Sequence, residues 1–323
     1  MATMTTSQVQ GRSSCGFSEP KVTILLCTYN GERHLDAQLA TLAAQTLPNI
    51  DVRVSDDGSN DATLMILEQW AQLWTKGAFT IANGPGHGFA ENFRSLLVSA
   101  FEADYIAFCD QDDLWDPDKL EHACTWLSRH AADAPGVYGS RTRLIDDEGR
   151  QIGFSPLFKK PPTFQNCLVQ SLAGGNTIVL NRNAHHLVRE ASRRTSFVSH
   201  DWWCFLLVTG SGGVAHYEPQ PRIDYRQHNG NLVGENGSFL GFWQRINRAW
   251  AGQFLRWNEE NIQSLERCAD LLTHSSYNVL CLFSEARTGY TLSRLRALRR
   301  AGVYRQGIIG NAFLFIACLL RKL

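Results

Sequence analysis

The sequence predicts an α/β fold, a mostly parallel sheet flanked by helices, with a helical C-terminal extension. Three observations carry that prediction. Between Lys21 and Cys109, short apolar runs of strand length alternate with segments of helical period. Three of the runs end in polar turns: Thr28-Tyr29-Asn30-Gly31, Asp56-Asp57-Gly58-Ser59 and Asp110-Gln111-Asp112-Asp113. From Phe239 onward the period is helical and strand signals stop.

The elements follow in order. Residues 1–20 read as a flexible tail, because Met1 to Glu19 is rich in Ser, Thr, Gln and Gly and lacks the apolar stretch of a signal peptide. Val22 to Leu26 is nearly continuous apolar sequence, as expected of a strand covered on both faces. Leu35, Leu39, Leu42 and Ala43 recur at helical spacing until Pro48 stops the pattern. Val52 to Ser55 is the next strand, after which Asn60 or Asp61 caps a helix carrying Leu64, Ile66, Leu67 and Trp70. Phe79 to Ile81 is a third strand, followed by a glycine loop and a helix over Phe89 to Phe101; Tyr105 to Cys109 is another strand. Lys119 to Arg129 is helical, and Gly136 to Ser140 opens mixed structure. Thr177 to Leu180 reads as a strand, Asn181 to Ala191 and Cys204 to Thr209 as helices, and Ile223 to His228 as a last strand and loop. An α/β domain therefore spans residues 21–236 and a helical extension residues 237–323, with the boundary near Gly237. In parallel sheets ligands bind beyond the carboxyl ends of the strands, so the three polar turns are expected to share one crevice.

Composition narrows the class. In 323 residues, 44% are hydrophobic and 19% charged, enough to bury a core and too apolar for a disordered chain. Thirty-one basic residues balance thirty-one acidic ones, which removes the global field expected of a nucleic-acid binder. The balance hides a polarity: from Leu280 onward eight Lys or Arg face Glu285 alone, a net of +7, leaving −7 on the remainder. Nine scattered cysteines without CxxC or zinc-like spacing suit a reducing cytosol.

The acid-rich turns carry the chemistry. Asp110-Gln111-Asp112-Asp113 places three carboxylates in four residues behind a buried strand, and crowded anions of this kind call for a hard divalent cation. The plainer alternative is a solvated acidic turn capping the next helix. Asp56-Asp57-Gly58-Ser59 alone is an ordinary turn, yet at a neighbouring strand end its carboxylates can accept from a ribose or a base N–H. Tyr29 can stack on a base or simply pack beside the sheet. The loop Gly86-His87-Gly88, entering the helix of Phe89, Asn92 and Arg94, matches neither GxGxxG nor a Walker A pattern, although a helix N-terminus favours phosphate. His200-Asp201-Trp202-Trp203 sets an acid beside two indoles, which suits either a general base or a helix cap with both tryptophans in the core. His228 taken alone is a loop histidine. GxSxG, HExxH and Cys–His nucleophile patterns are lacking.

Together, Val22 to Gly31, Asp56 to Asp61, Asp110 to Trp115, His200 to Trp203 and Tyr225 to His228 resemble the family 2 glycosyltransferases of the GT-A fold. The last two elements look like the rhamnosyltransferase-like branch that builds bacterial surface polysaccharide. The resemblance implies a nucleotide-diphospho-sugar donor, a glycan or lipid-linked acceptor hydroxyl, and Mn²⁺ or Mg²⁺ as cofactor. It implies that Thr28, Tyr29, Asn30, Asp56, Asp57, Asn92, Asp110 and Asp112 hold the nucleotide sugar. It also implies that Asp112 binds the metal, with Asp110, Asp113 and His228 as further ligands, and that Asp201 is the base of an inverting displacement. The alternatives from other classes are a non-catalytic sugar-nucleotide scaffold and a nucleotidyltransferase. Gln253-Phe254-Leu255-Arg256-Trp257 has the letters of the QxxRW element of processive members, but it lies late in the chain and long apolar spans are lacking, so it is read as a chance match.

Gly307 to Leu320 is mostly apolar, too short to span a bilayer, and bracketed by basic residues. It suits a monotopic contact with the inner face of the cytoplasmic membrane, or else a helix packed on the catalytic domain or in a homodimer interface.

Overall fold

A computed structural model describes residues 19–99, 101–227 and 252–323. The expected tail, the domain boundary and His228 lie outside the described residues. Two sheets organise the first part of the chain. The larger contains β1 (Val22–Thr28), β2 (Ile50–Asp56), β3 (Phe79–Asn83), β4 (Tyr105–Cys109), β6 (Gly136–Ser140), β9 (Val179–Asn181) and β10 (Val214–Glu218), in the order β10-β6-β9-β4-β1-β2-β3. A smaller sheet of order β5-β11-β7-β8 adds β5 (Leu114–Trp115), β7 (Arg143–Ile145), β8 (Gln151–Phe154) and β11 (Ile223–Arg226). The helices between them are α1 (Leu35–Ala43), α2 (Thr63–Leu73), α3 (Phe89–Val98), α4 (Lys119–His130), α5 (Phe164–Cys167), α6 (Arg182–Arg194) and α7 (His200–Gly210).

The large sheet is mostly parallel, as expected, with one strand reversed: β9 runs antiparallel to both β4 and β6. Its central strands β1 and β4 are buried on both faces, which explains their unbroken apolar sequence; Val22, Ile24, Leu25 and Leu26 are all fully enclosed. α1 presents Leu35, Leu39 and Leu42 to the sheet, and burying each such side chain stabilises by about 1.5–3 kcal/mol. Asp61 organises the start of α2 by accepting from the Thr63 amide (3.0 Å) and hydroxyl (2.5 Å). Asn181 caps α6 through the Ala184 amide, accepts from Gly136 N and donates to the carbonyls of Ala131 and Ala134. It thereby ties β9, β6 and the end of α4 together.

β11 is the last strand expected from the sequence, whereas β5, β7, β8 and β10 are elements that periodicity does not reveal. These four are two to five residues long, too short to develop an alternation. Tertiary ion pairs help hold the small sheet, with the Arg143 guanidinium reaching both Asp116 and Asp224. α7 also starts earlier than its apolar stretch suggests, at His200, so the HDWW element forms its first turn.

Beyond residue 252 the described chain is helical: α8 (Gln253–Arg267), α9 (His274–Thr288), α10 (Thr291–Ala301) and α11 (Ile308–Leu319). These helices are not a separate body. Ile262, Leu265, Phe283, Ala286, Leu298 and Leu314 share one continuous core with Trp203, Phe205 and Leu207 of α7 and with one face of the sheet. α8 opens on the QxxRW letters, and its Trp257 meets Trp202 edge-on at 6.4 Å.

Two buried histidines lie in this core. His185 stacks on Phe101, and His200 sits between Phe93 and Phe108. Burial lowers His185 to about 3 and His200 to about 4, from an ordinary value of 6.5. Between those values and 6.5 each ring takes up a proton in the unfolded chain and not in the folded one, so the contribution of the two rings to stability falls as pH drops below about 6.5, against the opposite contribution of the raised carboxyls of Asp110 and Asp113. In urea unfolding at pH 7, 6 and 5, the stability of His185→Phe relative to the wild type is expected to rise by up to about 1.4 kcal/mol per pH unit as pH falls. An unchanged slope in the variant contradicts the assignment.

Candidate active site at the strand ends

The register of the parallel strands builds the site. Thr28 of β1 is level with Asp56 of β2, and Leu26 is level with Cys109 of β4. The three polar turns therefore leave the sheet at one edge, side by side, as the sequence predicts.

Asp56 frames the first two turns. Almost fully buried, it accepts from Thr28 Oγ1 (2.8 Å), Ser59 Oγ (2.6 Å), Ser59 N (2.8 Å) and Gly58 N (3.2 Å). Asn30, in the left-handed region at φ 48°, donates its amide to Ser59 Oγ and accepts from Asn60 N, locking the two turns to each other. Tyr29 is 57% exposed, so its ring is not part of the core, and its peptide is clamped by Gln111. Gln111 Oε1 accepts from Tyr29 N (2.9 Å) and Gln111 Nε2 donates to Tyr29 O (3.0 Å). A Cβ on Gly31 would run into that side-chain amide and push it aside.

The glycine loop serves Asp57. Oδ1 accepts from Gly86 N (2.7 Å) and Oδ2 from Gly88 N (2.8 Å), both glycines having positive φ. Its amides are thus directed at a carboxylate of the protein, which explains why no phosphate-loop pattern fits. Asn92, on the first turn of α3, is buried and donates to Ser55 O; its Oδ1 is enclosed beside Gly84 without a hydrogen-bond partner.

At the end of β4 the carboxylates divide. Asp110 and Asp112 stay partly exposed, whereas Asp113 is fully enclosed, with Oδ2 accepting from Asn176 Nδ2 and Oδ1 from Arg226 N. Asp113, expected beside the other two as a metal ligand, therefore has both oxygens occupied and sits behind the loop as part of its frame. Burial pushes its carboxyl well up, with Asp112 and Asp110 adding to the effect. Burial likewise pushes Asp110 up to about 7, reinforced by the charges of Asp112 and Asp201. Burial raises the Cys27 thiol, with the charges of Asp110 and Asp57 adding to the effect. Among the described residues no group of three or more His, Cys, Asp or Glu side chains has metal-binding geometry.

Asp201 is in the first turn of α7 and is not its cap, which is Ser199. One of its oxygens accepts from Ser171 Oγ (3.1 Å). Trp202 and Trp203 are buried core residues, and the Trp202 indole donates to Cys167 O. The turn Gly174–Asn176 packs on His200, since a Cβ on Gly175 would lie 2.0 Å from His200 Nε2, and the same turn delivers Asn176 to Asp113.

Sequence reasoning missed Gln111, Ser171, Asn176 and Arg226 as supporting residues. The first and last stand inside quoted motifs. Ser171 and Asn176 carry no local signal, because their partners are 30 and 63 positions away.

Residues 23–183 match the family model described as Glycosyl transferase family 2. The dTDP-rhamnosyl transferase RfbG of Shigella flexneri is 28% identical over 236 residues, 68% of this chain and 78% of that protein. An uncharacterized glycosyltransferase of Haemophilus influenzae is 26% identical over 219 residues, 65% of this chain and 66% of that protein. Among solved structures, Staphylococcus aureus TarS 1-349 in complex with UDP-GlcNAc superposes with a TM-score of 0.52 at 17% identity, covering 88% of this chain and 93% of that one. The fold is thus GT-A.

Gly31→Ala is expected to displace Gln111 and loosen the Tyr29 turn without unfolding the chain. Donor affinity, measured by calorimetry, should fall about tenfold, a loss of about 1.4 kcal/mol. Adding Gln111→Ala to that variant should cost less than the sum of the two single changes; additive losses contradict the clamp.

Proposed function

Since the chain carries a family 2 glycosyltransferase domain and is a glycosyltransferase, we propose that it inverts the anomeric centre of a sugar as it moves it from a nucleotide diphosphate to an acceptor hydroxyl. The observation that supports this reading is the turn Gly174–Asn176, which packs on His200 beside Asp201 and at the same time bonds Asp113 of the acid loop. A base and a diphosphate-binding edge then flank the same space. The similarity to a dTDP-rhamnosyl transferase favours a rhamnosyl donor; with the motif resemblance to the branch that builds surface polysaccharide, we infer a lipid-linked glycan acceptor on the cytoplasmic side of the membrane.

In this reading the exposed Tyr29 ring stacks on the base and Asp57 meets the nucleoside, while Thr28, Asn30, Asp56 and Asn92 shape the turns around them. Asp201, oriented by Ser171, takes the acceptor proton as the acceptor oxygen attacks the anomeric carbon from the face opposite the leaving group. The new glycosidic bond forms as the bond to the diphosphate breaks, and the nucleoside diphosphate leaves with the electron pair. Asp110 and Asp112 fit a hard divalent ion, since they offer carboxylate oxygens on the partly exposed side of their loop. Asp112 with Asp110 would hold Mg²⁺ or Mn²⁺, which would supply positive charge to the leaving diphosphate. Asp113 keeps that loop in place from behind.

Asp201→Asn should lower acceptor-dependent release of nucleoside diphosphate by about 10²–10⁴-fold while donor binding persists. Asp112→Ala should abolish release, and chelation should do the same reversibly, with Mn²⁺ restoring it. Full activity in Asp201→Asn removes the base assignment. Retention of anomeric configuration in the product, read by NMR, removes the single-displacement mechanism, and release of pyrophosphate in place of nucleoside diphosphate identifies a nucleotidyltransferase.

A further inference from the structure

α11 has two unlike faces. Leu314, Ala317 and Cys318 are buried in the core with Ala286, Ala297 and Ala301. The buried Arg294 donates to the carbonyls of Ala286 and Cys318, and Arg287 donates to Leu323 O, so the helix is fastened along that side. The other side carries Ile308, Ile309, Phe315, Ile316, Leu319 and Leu320, all exposed, the first two by 89% and 72%. At about 100° per residue these side chains fill an arc of roughly 140°. Ala312 is the remaining exposed residue within it, so no polar side chain interrupts the arc. An unbroken apolar face of three turns in water marks a surface with a partner.

Charge decides which partner. Of the basic residues in this +7 segment, Arg287, Arg294 and Arg305 are occupied inside the protein, each donating to main-chain carbonyls. Arg296, Arg299 and Arg300 on α10 and Arg321 after α11 are exposed and have no ion-pair partner among the described residues. Mating this face with a second copy would set two such segments against each other, whereas anionic headgroups neutralise them. No described helix is long and apolar enough to cross a membrane, and twelve residues suffice only to lie along its surface.

The loop joining α10 to α11 is also stitched to the wall that holds Asp201. Tyr304 O accepts from Asn166 Nδ2 (2.9 Å), Arg305 Nη1 donates to Val169 O (2.6 Å) and Gln306 N donates to Gln170 Oε1 (2.9 Å). Gln306 Nε2 adds bonds to Asn166 Oδ1 (2.7 Å) and Lys160 O (2.9 Å). The stretch so held runs directly into Ser171, the donor to Asp201.

We propose that the exposed face of α11, with the arginines of α10 and Arg321, docks on an anionic lipid leaflet and fixes the Ser171–Asp201 wall relative to that surface. The docking rests on the exposed face alone; the consequence for acceptor delivery rests on the reading of Asp201 given above.

Flotation of the full chain with vesicles tests it, using phosphatidylcholine alone and phosphatidylcholine mixed with phosphatidylglycerol. The wild-type chain is expected to float with the mixed vesicles and not with the neutral ones. The triple variant I309E/F315E/I316E should lose at least about tenfold in partitioning, and R299E/R300E about fivefold or more per charge, with high salt erasing the difference between it and the wild type. Circular dichroism and melting should match the wild type, because every substituted side chain is exposed. Failure of the wild type to bind mixed vesicles, or equal binding to both kinds, overturns the proposal. So does a solution dimer that the triple variant converts to a monomer, which would give the face to a second copy. Nucleoside diphosphate release with a soluble acceptor is measured in parallel: vesicle binding without release would sink the transferase reading and leave the docking surface standing.

Discussion

Like charges gathered at one edge of a sheet repel, and much of the structure around the cleft exists to hold them there. Parallel pairing brings Thr28, Asp56 and Asp110 to a common edge whatever the side chains prefer, since the register is set by the apolar strands behind them. Burial raises Asp110 and Asp113, and the neighbouring carboxylates add to that effect.

The acidic residues have separated into two kinds. Asp56, Asp57 and Asp113 spend their oxygens on main-chain amides and side-chain donors, and so serve as the frame of three turns. Asp110, Asp112 and Asp201 remain at the partly open side. The division follows from geometry. A carboxylate with backbone N–H groups in reach is satisfied without a ligand, and one that faces the cleft is not. Gln111 belongs with the frame although it lies between two cleft-facing acids, because its amide matches both polar groups of the Tyr29 peptide.

The C-terminal helices complete this arrangement from the side of α7. Their core is continuous with that of α7, and the loop between α10 and α11 reaches the segment that precedes Ser171. The position of Asp201 therefore depends on residues more than a hundred positions later in the chain. α11 turns one face inward to that core and leaves an apolar face outside.

By itself the sequence determined the central strands, the helices between them and the three polar turns, because each is specified locally by apolar runs, period and turn residues. It also determined that those turns share one edge, since strands alternating with helices can be wound in few ways. Of the second sheet only β11 was legible; β5, β7 and β8 were not, as two to four residues cannot display a period and the sheet is held by partners such as Arg143 with Asp116 and Asp224. Only the tertiary structure decided which acids frame the loops and which face the cleft. That choice depends on where distant donors such as Asn176, Arg226 and Ser171 come to rest, and hydrogen bonds across such separations leave no mark on neighbouring residues.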